Sequence, residues 1–495
     1  MMAFRSVISS RIPMVIILGA TGTGKTKLSV ELAQKFGTEI ISADSMQIYK
    51  GLDVVTAKAS VQERELVKHH LMDILEPHQM FTVVDFRNRA LKIIENLTEL
   101  GKIPIIVGGT NYYIESIVYK ILVEDTDDTE ALLWDKSRRK RDFDSDDEDE
   151  IKKRRISPDS SSKIDPQSSE PQTDNQTVLE INDVNKSTHS KGSVKDVNVF
   201  KEKLKQDVDN EKNLSNEEIH EKLNSFDPVM AARLHPNNRR KVLRSIEVYL
   251  KTGRLHSEIL AEQKLSEGEL RRPGSTIIFW LKCEQSVHDQ RLDNRVDQML
   301  EEGLIRELLD FHDSHNKHRI KDGKPPDYTK GIFQTLGFKE FHDYLMMTED
   351  QRQSEDGKKL LQLSIDNMKM ATRRYARRQN KMVKGRFLQH PFRQVPPVYE
   401  LDTTDISLWE ENVKGKAEKI IESYLHESPC EYEPLNLKLD EEKKNIDGNS
   451  RNYCEVCNRL IIGDKTYKIH LKSNRHMKVI KLKKKLEREK PQETQ

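Results

Sequence analysis

The run Gly19-Ala20-Thr21-Gly22-Thr23-Gly24-Lys25-Thr26 constrains this chain more than any other stretch. It fits G-x-x-x-x-G-K-T, follows the apolar segment MVIILGA and precedes a segment of helical spacing, Lys25 to Phe36. In that setting, glycines let backbone N–H groups converge on phosphate oxygens beside a helix N-terminus. Lys25 adds a point charge, and Thr26 offers a hydroxyl to Mg²⁺. The loop alone leaves open whether the phosphates belong to ATP or to another diphosphate, so a small-molecule or nucleotide kinase fits at this point.

A strand feeding such a loop needs a sheet around it. IPIIVGGT and TIIFWLKC are short, apolar and β-branched, as buried parallel strands are, and Phe86 to Leu100 has helical spacing. The alternation predicts an α/β fold: a phosphate-loop NTPase-like parallel sheet in two parts, residues 13–124 and 273–400. The segment FDPVMAARLHPNNRRKVLRSIEVYLKTG reads as two helices broken at His235-Pro236, with Asn237 or Asn238 capping the second. It predicts a helical inserted domain over 226–272.

Hydrophobic residues make up 35% and charged residues 33%, too polar a balance for one compact globule throughout. Residues 125–216, rich in Ser, Asp, Lys and Gln, read as a disordered insertion. Within it SRRKR and KKRR flank the acidic run Asp142 to Glu150, either as a nuclear import signal or as a solvated polyampholyte. Residues 428–450 read as an acidic linker. The net charge of +1 hides local basic surfaces, the lysine-rich last fifty residues among them.

Four cysteines in this length do not make a disulfide framework and point to a reducing compartment. Two of them belong to Cys454, Cys457, His470 and His476, spaced C-x₂-C-x₁₂-H-x₅-H. That spacing suits a closed, structural Zn²⁺ site in a small ββα-like zinc finger over 451–495, whose stability the metal supplies. The long gap between the histidines resembles matrin-type fingers, which favour RNA and duplex shape. No apolar run approaches the ~18 residues of a membrane span. Residues 1–12 carry Arg5 and Arg11 and no acid, so a mitochondrial presequence and a frayed terminus both fit.

Beyond the loop come Ser42-Ala43-Asp44-Ser45-Met46-Gln47-Ile48-Tyr49, then His69-His70-Leu71-Met72-Asp73-Ile74, then Gly108-Gly109-Thr110-Asn111-Tyr112-Tyr113. His235-Pro236-Asn237, Arg240 to Arg244, and Arg291 with Arg295 before Gln298-Met299-Leu300 follow. In this order the segments resemble the tRNA dimethylallyltransferase family, over roughly residues 13–124 and 226–390. Two departures stand out: Asn238 where the family often has Asp, and the enlarged loop between the halves.

The resemblance implies transfer of a dimethylallyl group from its diphosphate to the exocyclic amine of the adenosine beside the anticodon. It implies Asp44 as general base, with Mg²⁺-binding or helix capping as the bland alternatives. It implies Gly19 to Thr26, Thr110 and Arg295 as the diphosphate cradle, with Lys25, Thr26 and Arg295 sharing in catalysis. Asp44, Ser45, Met46, Gln47, Arg240, Lys241 and Arg244 match stretches where the family contacts tRNA.

The run Lys369 to Arg386 carries eight basic residues and no acid. Arg373, Arg377, Lys381 and Lys384 share one helical face, with Arg374 and Arg378 beside it, a surface for an RNA backbone. The expected partners are therefore tRNA and dimethylallyl diphosphate, with Mg²⁺ and Zn²⁺ as cofactors, no membrane, and a monomeric state. Cytoplasm and mitochondrion are the expected compartments, with the nucleus as a third. An adenylate prenyltransferase would share the catalytic motifs, but the basic helix and the finger argue against it. An RNA-binding adaptor with a relict site would not keep an intact loop and Asp44.

Overall fold

The computed structural model describes residues 12–77, 79, 81–120, 201–206, 208, 213–266, 268–316, 328, 331–389, 393–435 and 450–488. The chain divides into two compact units, Met1–Arg139 with Gln263–Asn445, and Lys140–Glu262 with Ile446–Gln495. The presequence reading, the import signal and most of the insertion and acidic linker lie outside the described residues.

The first unit begins with β1 (Met14–Gly19), α1 (Lys25–Lys35), β2 (Ile40–Ser42), β3 (His69–His70), α2 (Val83–Glu99), β4 (Ile105–Val107) and α3 (Asn111–Val118). The second unit contributes α4 (Asn216–Phe226), α5 (Pro228–Arg233) and α6 (Arg239–Thr252). The first then resumes with β5 (Thr276–Lys282), α7 (Gln285–Glu301), α8 (Leu304–His315), α9 (Glu355–Val383), β6 (Val398–Asp402) and α10 (Gly415–Leu425).

The sheet runs β3-β2-β4-β1-β5-β6 and is parallel throughout. β1 sits in its middle, with Ile16 opposite Ile106 on one side and Ile278 on the other. Every residue of β1 is buried, which is why it reads as an unbroken apolar run rather than an alternating one. Ile16 and Leu18 face a core shared with Phe86, Ile114, Val296 and Met368 from α2, α3, α7 and α9. Val15 and Ile17 face the opposite core, with Leu28 of α1 and Ile420 of α10. Helices thus cover both faces, and the carboxyl ends of β1, β2 and β4 share one edge.

The predicted end of this core at residue 400 is corrected. Trp409, Val413, Ala417, Ile420 and Ile421 are all buried against the sheet, so the core continues through α10.

In the second unit, Asp227 holds the helices together. Its buried carboxylate accepts from Met230 N at 2.9 Å and from Ser257 N at 2.9 Å, capping two helix starts at once. The break at His235-Pro236 falls between α5 and α6. Asn238 occupies the cap position of α6 but makes no side-chain cap bond, and Gly253 ends the helix in the left-handed region. The expected disorder up to residue 216 is corrected at its end. Residues 201–206 are helical, and Leu204 and Val208 are buried with Leu223, Val242 and Ile246.

The same unit holds the C-terminal module: a hairpin of β7 (Arg451–Cys454) and β8 (Arg459–Ile462), then α11 (Asp464–Leu471) and α12 (Asn474–Arg488). No helix among the described residues is long and apolar enough to cross a membrane.

Candidate active site and metal centre

The phosphate loop spans the carboxyl end of β1 and the start of α1. Gly24 takes φ +86 at the helix N-terminus, and a Cβ there would lie 2.7 Å from the Trp409 ring. Only glycine meets both demands. Thr23 Oγ1 donates to Ala20 O at 2.8 Å, and Lys25 Nζ donates to the same carbonyl at 2.7 Å. His288 Nε2 meets Thr21 O at 2.8 Å from α7.

Burial, helped by the Arg295 charge and opposed by Asp44, pushes the Lys25 ammonium down to about 8. Arg295, on α7, is pushed below its usual value by burial, with Glu302 and Asp44 pulling it back. Among the described residues Arg295 makes no hydrogen bond or ion pair. Two cations held close together, one of them without a protein partner, mark a place prepared for an anion. Thr26 Oγ1 likewise has no hydrogen-bond partner among the described residues, which leaves it free as a Mg²⁺ ligand.

Asp44 follows β2, at the same sheet edge. Its Oδ1 accepts from Met46 N at 2.8 Å, an Asx turn that fixes the carboxylate. Its other oxygen accepts nothing among the described residues. The Asp44 charge is felt by Lys25, Arg295, Tyr113 and Tyr375, and it helps hold both phenols above their usual range after burial.

Thr110 tops β4. Its Oγ1 accepts from Ser45 N at 3.1 Å and lies 3.3 Å from Ser45 Oγ, while Thr110 N donates to Ala43 O at 3.2 Å. The turn after β4 and the Asp44 segment are therefore one hydrogen-bonded piece. Gln47 turns inward: its amide donates to Thr56 O at 3.3 Å and Ala57 O at 3.1 Å. Arg291 is spent on Thr403 O and Thr404 O, both at 2.6 Å.

Two residues escaped the sequence reading. Tyr375 and Gln379 project from the buried side of α9, opposite the basic face. The signal was there: Met368, Thr372, Ala376, Gln379 and Val383 repeat at helical spacing, and one amide interrupts a small, apolar stripe.

The basic face itself needs correction. Lys369, Arg373 and Arg377 are ion-paired with Asp297, Asp293 and Asp289, one turn apart along α7. The neutralising acids lie far off in sequence, on a helix about eighty positions earlier. Arg374, Arg378, Lys381 and Lys384 are exposed and carry no ion pair among the described residues. Lys241 and Arg244 lie on α6 of the second unit, with Arg244 Nη1 3.8 Å from Glu247. Arg240 is in that helix too, and its side chain lies outside the described residues.

In the finger, the ligand atoms of Cys454, Cys457, His470 and His476 all lie within 4.8 Å of one another. His476 Nδ1 is 3.2 Å from Cys457 Sγ and 3.6 Å from Cys454 Sγ, near the roughly 3.3–3.8 Å between ligands of a tetrahedral zinc. His470 Nε2 is buried with no hydrogen-bond partner. A buried nitrogen left without a partner fits a metal ligand, so the residues suit Zn²⁺.

Residues 47–172 and 177–386 match the model of the IPP transferase family, and 452–476 match a C2H2 zinc finger. The tRNA dimethylallyltransferase of Homo sapiens is 39% identical over 484 residues, covering 96% of this chain and 87% of that protein. That of Schizosaccharomyces pombe is 30% identical over 500 residues, covering 95% and 96%. A crystal structure of a eukaryotic dimethylallyltransferase acting on tRNA superposes with a TM-score of 0.65 at 28% identity, covering 96% of this chain and 97% of that one.

Proposed function

The chain belongs to the IPP transferase family, and from that premise we propose how its residues divide the work. It is a prenyltransferase that places a dimethylallyl group on the tRNA adenosine 3′ of the anticodon. The proposal concerns the donor and the roles.

Dimethylallyl diphosphate lies with its phosphates on the loop Gly19 to Thr26, flanked by Lys25 and Arg295. The exocyclic amine of the adenosine faces Asp44, and the base leaves its stack to reach that position. The amine nitrogen forms a bond to the allylic carbon as the C–O bond breaks, and the bonding pair departs on the diphosphate. The proton released by the amine passes to the free oxygen of Asp44. Thr26 would hold Mg²⁺, which would supply charge neutralisation at the leaving group. N–H donors of the loop, Lys25 and Arg295 do the same from the protein side.

One observation carries the reading. A carboxylate with one oxygen fixed and one free stands near enough to two cations for its charge to act on both. That arrangement sets a base beside an anion grip. Incubation with labelled dimethylallyl diphosphate, offered tRNA or AMP, tests it. Label in tRNA supports the reading; label in AMP alone, or consumption of ATP without prenyl transfer, ends it.

A further inference from the structure

One buried side chain joins the two loops that the proposed mechanism requires to act together. Gln379, on α9, is 3% exposed. Its Oε1 accepts from Thr21 N of the phosphate loop at 2.9 Å, and its Nε2 donates to Gly109 O at 3.2 Å. Its own backbone carbonyl accepts from Asn111 Nδ2 at 3.5 Å. Burial holds the Tyr375 phenol, one turn earlier, well above its usual range, and a hydrogen bond to Gln379 opposes part of that shift.

Gly109 is what admits this side chain. A Cβ at Gly109 would stand 2.1 Å from Gln379 Nε2, closer than any side chain tolerates. The next residue is Thr110, whose hydroxyl holds Ser45 N and whose N–H holds Ala43 O. Asp44 lies between Ala43 and Ser45. A chain of hydrogen bonds therefore runs from Thr21 through Gln379, Gly109 and Thr110 to the segment that carries the carboxylate.

We propose that Gln379 is a positioning residue that sets the distance between the phosphate loop and the Asp44 segment, and so between leaving-group grip and base. The proposal rests on the reading of the site given above. A primary amide is the right group for the work. Gln379 offers one acceptor and two donors, answering an N–H on one side and a carbonyl on the other, and its burial keeps water from competing for either. The amide is itself uncharged, so it adds no charge to the anion site. An apolar residue of the same length would leave Thr21 N–H and Gly109 O unpaired, and both loops would settle elsewhere. A displacement of about 1 Å between reacting groups costs on the order of a hundredfold in rate.

The test is steady-state kinetics of the full chain with Gln379→Met and Gln379→Glu, varying dimethylallyl diphosphate and tRNA separately. Glutamate still accepts from Thr21 N–H but does not donate to Gly109 O. For the methionine variant, kcat/KM for the donor should fall about tenfold to a hundredfold while KM for tRNA stays within about twofold. The inhibition constant of inorganic pyrophosphate should rise with it, and the glutamate variant should show the same split. If the methionine variant fails to fold, Gln379→Asn, a neutral amide too short to span both loops, reads out the split without adding charge at the anion site.

An unchanged donor kcat/KM, or an equal rise in both KM values, overturns the proposal, the second marking a mere packing residue. Lys25→Ala is the reference. If it weakens pyrophosphate and the Gln379 variants do not, the positioning role alone is wrong. If Lys25→Ala leaves pyrophosphate inhibition unchanged, the anion site is misread and this proposal falls with it.

Discussion

The guanidinium of Arg373 is paired with the carboxylate of Asp293, so the residue that opens the basic face of α9 already has a protein partner. Arg377 stands likewise with Asp289. Half-exposed pairs of this kind contribute about 0–1 kcal/mol, and an RNA phosphate would have to displace the aspartate before it gained the arginine. The unpaired stripe of Arg374, Arg378 and Lys381 would meet an RNA backbone without that exchange.

Arg374→Ala, Arg378→Ala and Lys381→Ala should therefore each weaken tRNA binding and lower the slope of log affinity against log salt by about 0.7–0.9. Arg373→Ala and Arg377→Ala should change that slope less. Filter binding across a salt series checks this. A steeper loss at Arg373 than at Arg378 would show that the aspartates yield to RNA.

Asp44→Asn should lower kcat by about 10²–10⁴-fold with tRNA affinity within a few-fold. Single-turnover prenylation and equilibrium binding separate the two. Equal loss of both would make docking, not proton transfer, the task of Asp44.

Lys25 gives a pH dependence whose sign is fixed. Its proton is held less tightly in the fold than in an exposed lysine, so the cation is complete below pH about 8 and disappears above it. Affinity for inorganic pyrophosphate should be full at pH 7 and fall as pH rises through about 8. Lys25→Met should remove that step and leave only the titration of pyrophosphate itself. A bound anion favours the cation and moves the step upward, so it should appear at higher pH in kcat, which reports the bound complex, than in binding to free enzyme.

Cys457→Ser, or chelation of Zn²⁺, should unfold residues 451–488 without touching the first unit. Limited proteolysis should cut there first, tRNA affinity should drop with a shallower salt slope, and the pyrophosphate inhibition constant should stay the same. An uncut tail after chelation would mean that the hairpin and α11 hold without metal.

Glu115, with its side chain 2% exposed, is paired with both Arg386 and Arg393 and ties α3 to the end of α9. Glu115→Gln should destabilise the chain by about 3–5 kcal/mol, since it breaks a buried ion-pair network by removing its carboxylate charge. Denaturant unfolding measures it. A change below 1 kcal/mol would mean water replaces the carboxylate.

Much of this was legible beforehand, and for physical reasons. Buried parallel strands announce themselves as unbroken apolar runs, and a phosphate loop must interrupt one with glycines, so β1, β4 and β5 and the loop stood out. Cys454, Cys457, His470 and His476 were readable because zinc geometry dictates spacing. Gln379 was not picked out, because a lone glutamine among arginines carries no sign of which way it points. The pairs between α7 and α9 were missed because helices distant in sequence become neighbours only through the sheet. Trp409 and α10 lie beyond residue 400, after a Pro-rich stretch that carries no local sign that the core resumes. Tertiary packing, not local pattern, decided all three.

The middle position of β1 has a consequence for how the molecule is born. Met14 leaves the ribosome early, yet its neighbour across one sheet edge is Thr276. At roughly 5–20 residues per second, that flank of the strand waits on the order of ten seconds or more for its mate. Throughout that interval a bare row of amides and carbonyls, lined with valine, isoleucine and leucine, stands open to any passing strand. A newborn copy would gain from cover on that strand until its far half arrives, and crowded polysomes are where aggregation of this chain would begin.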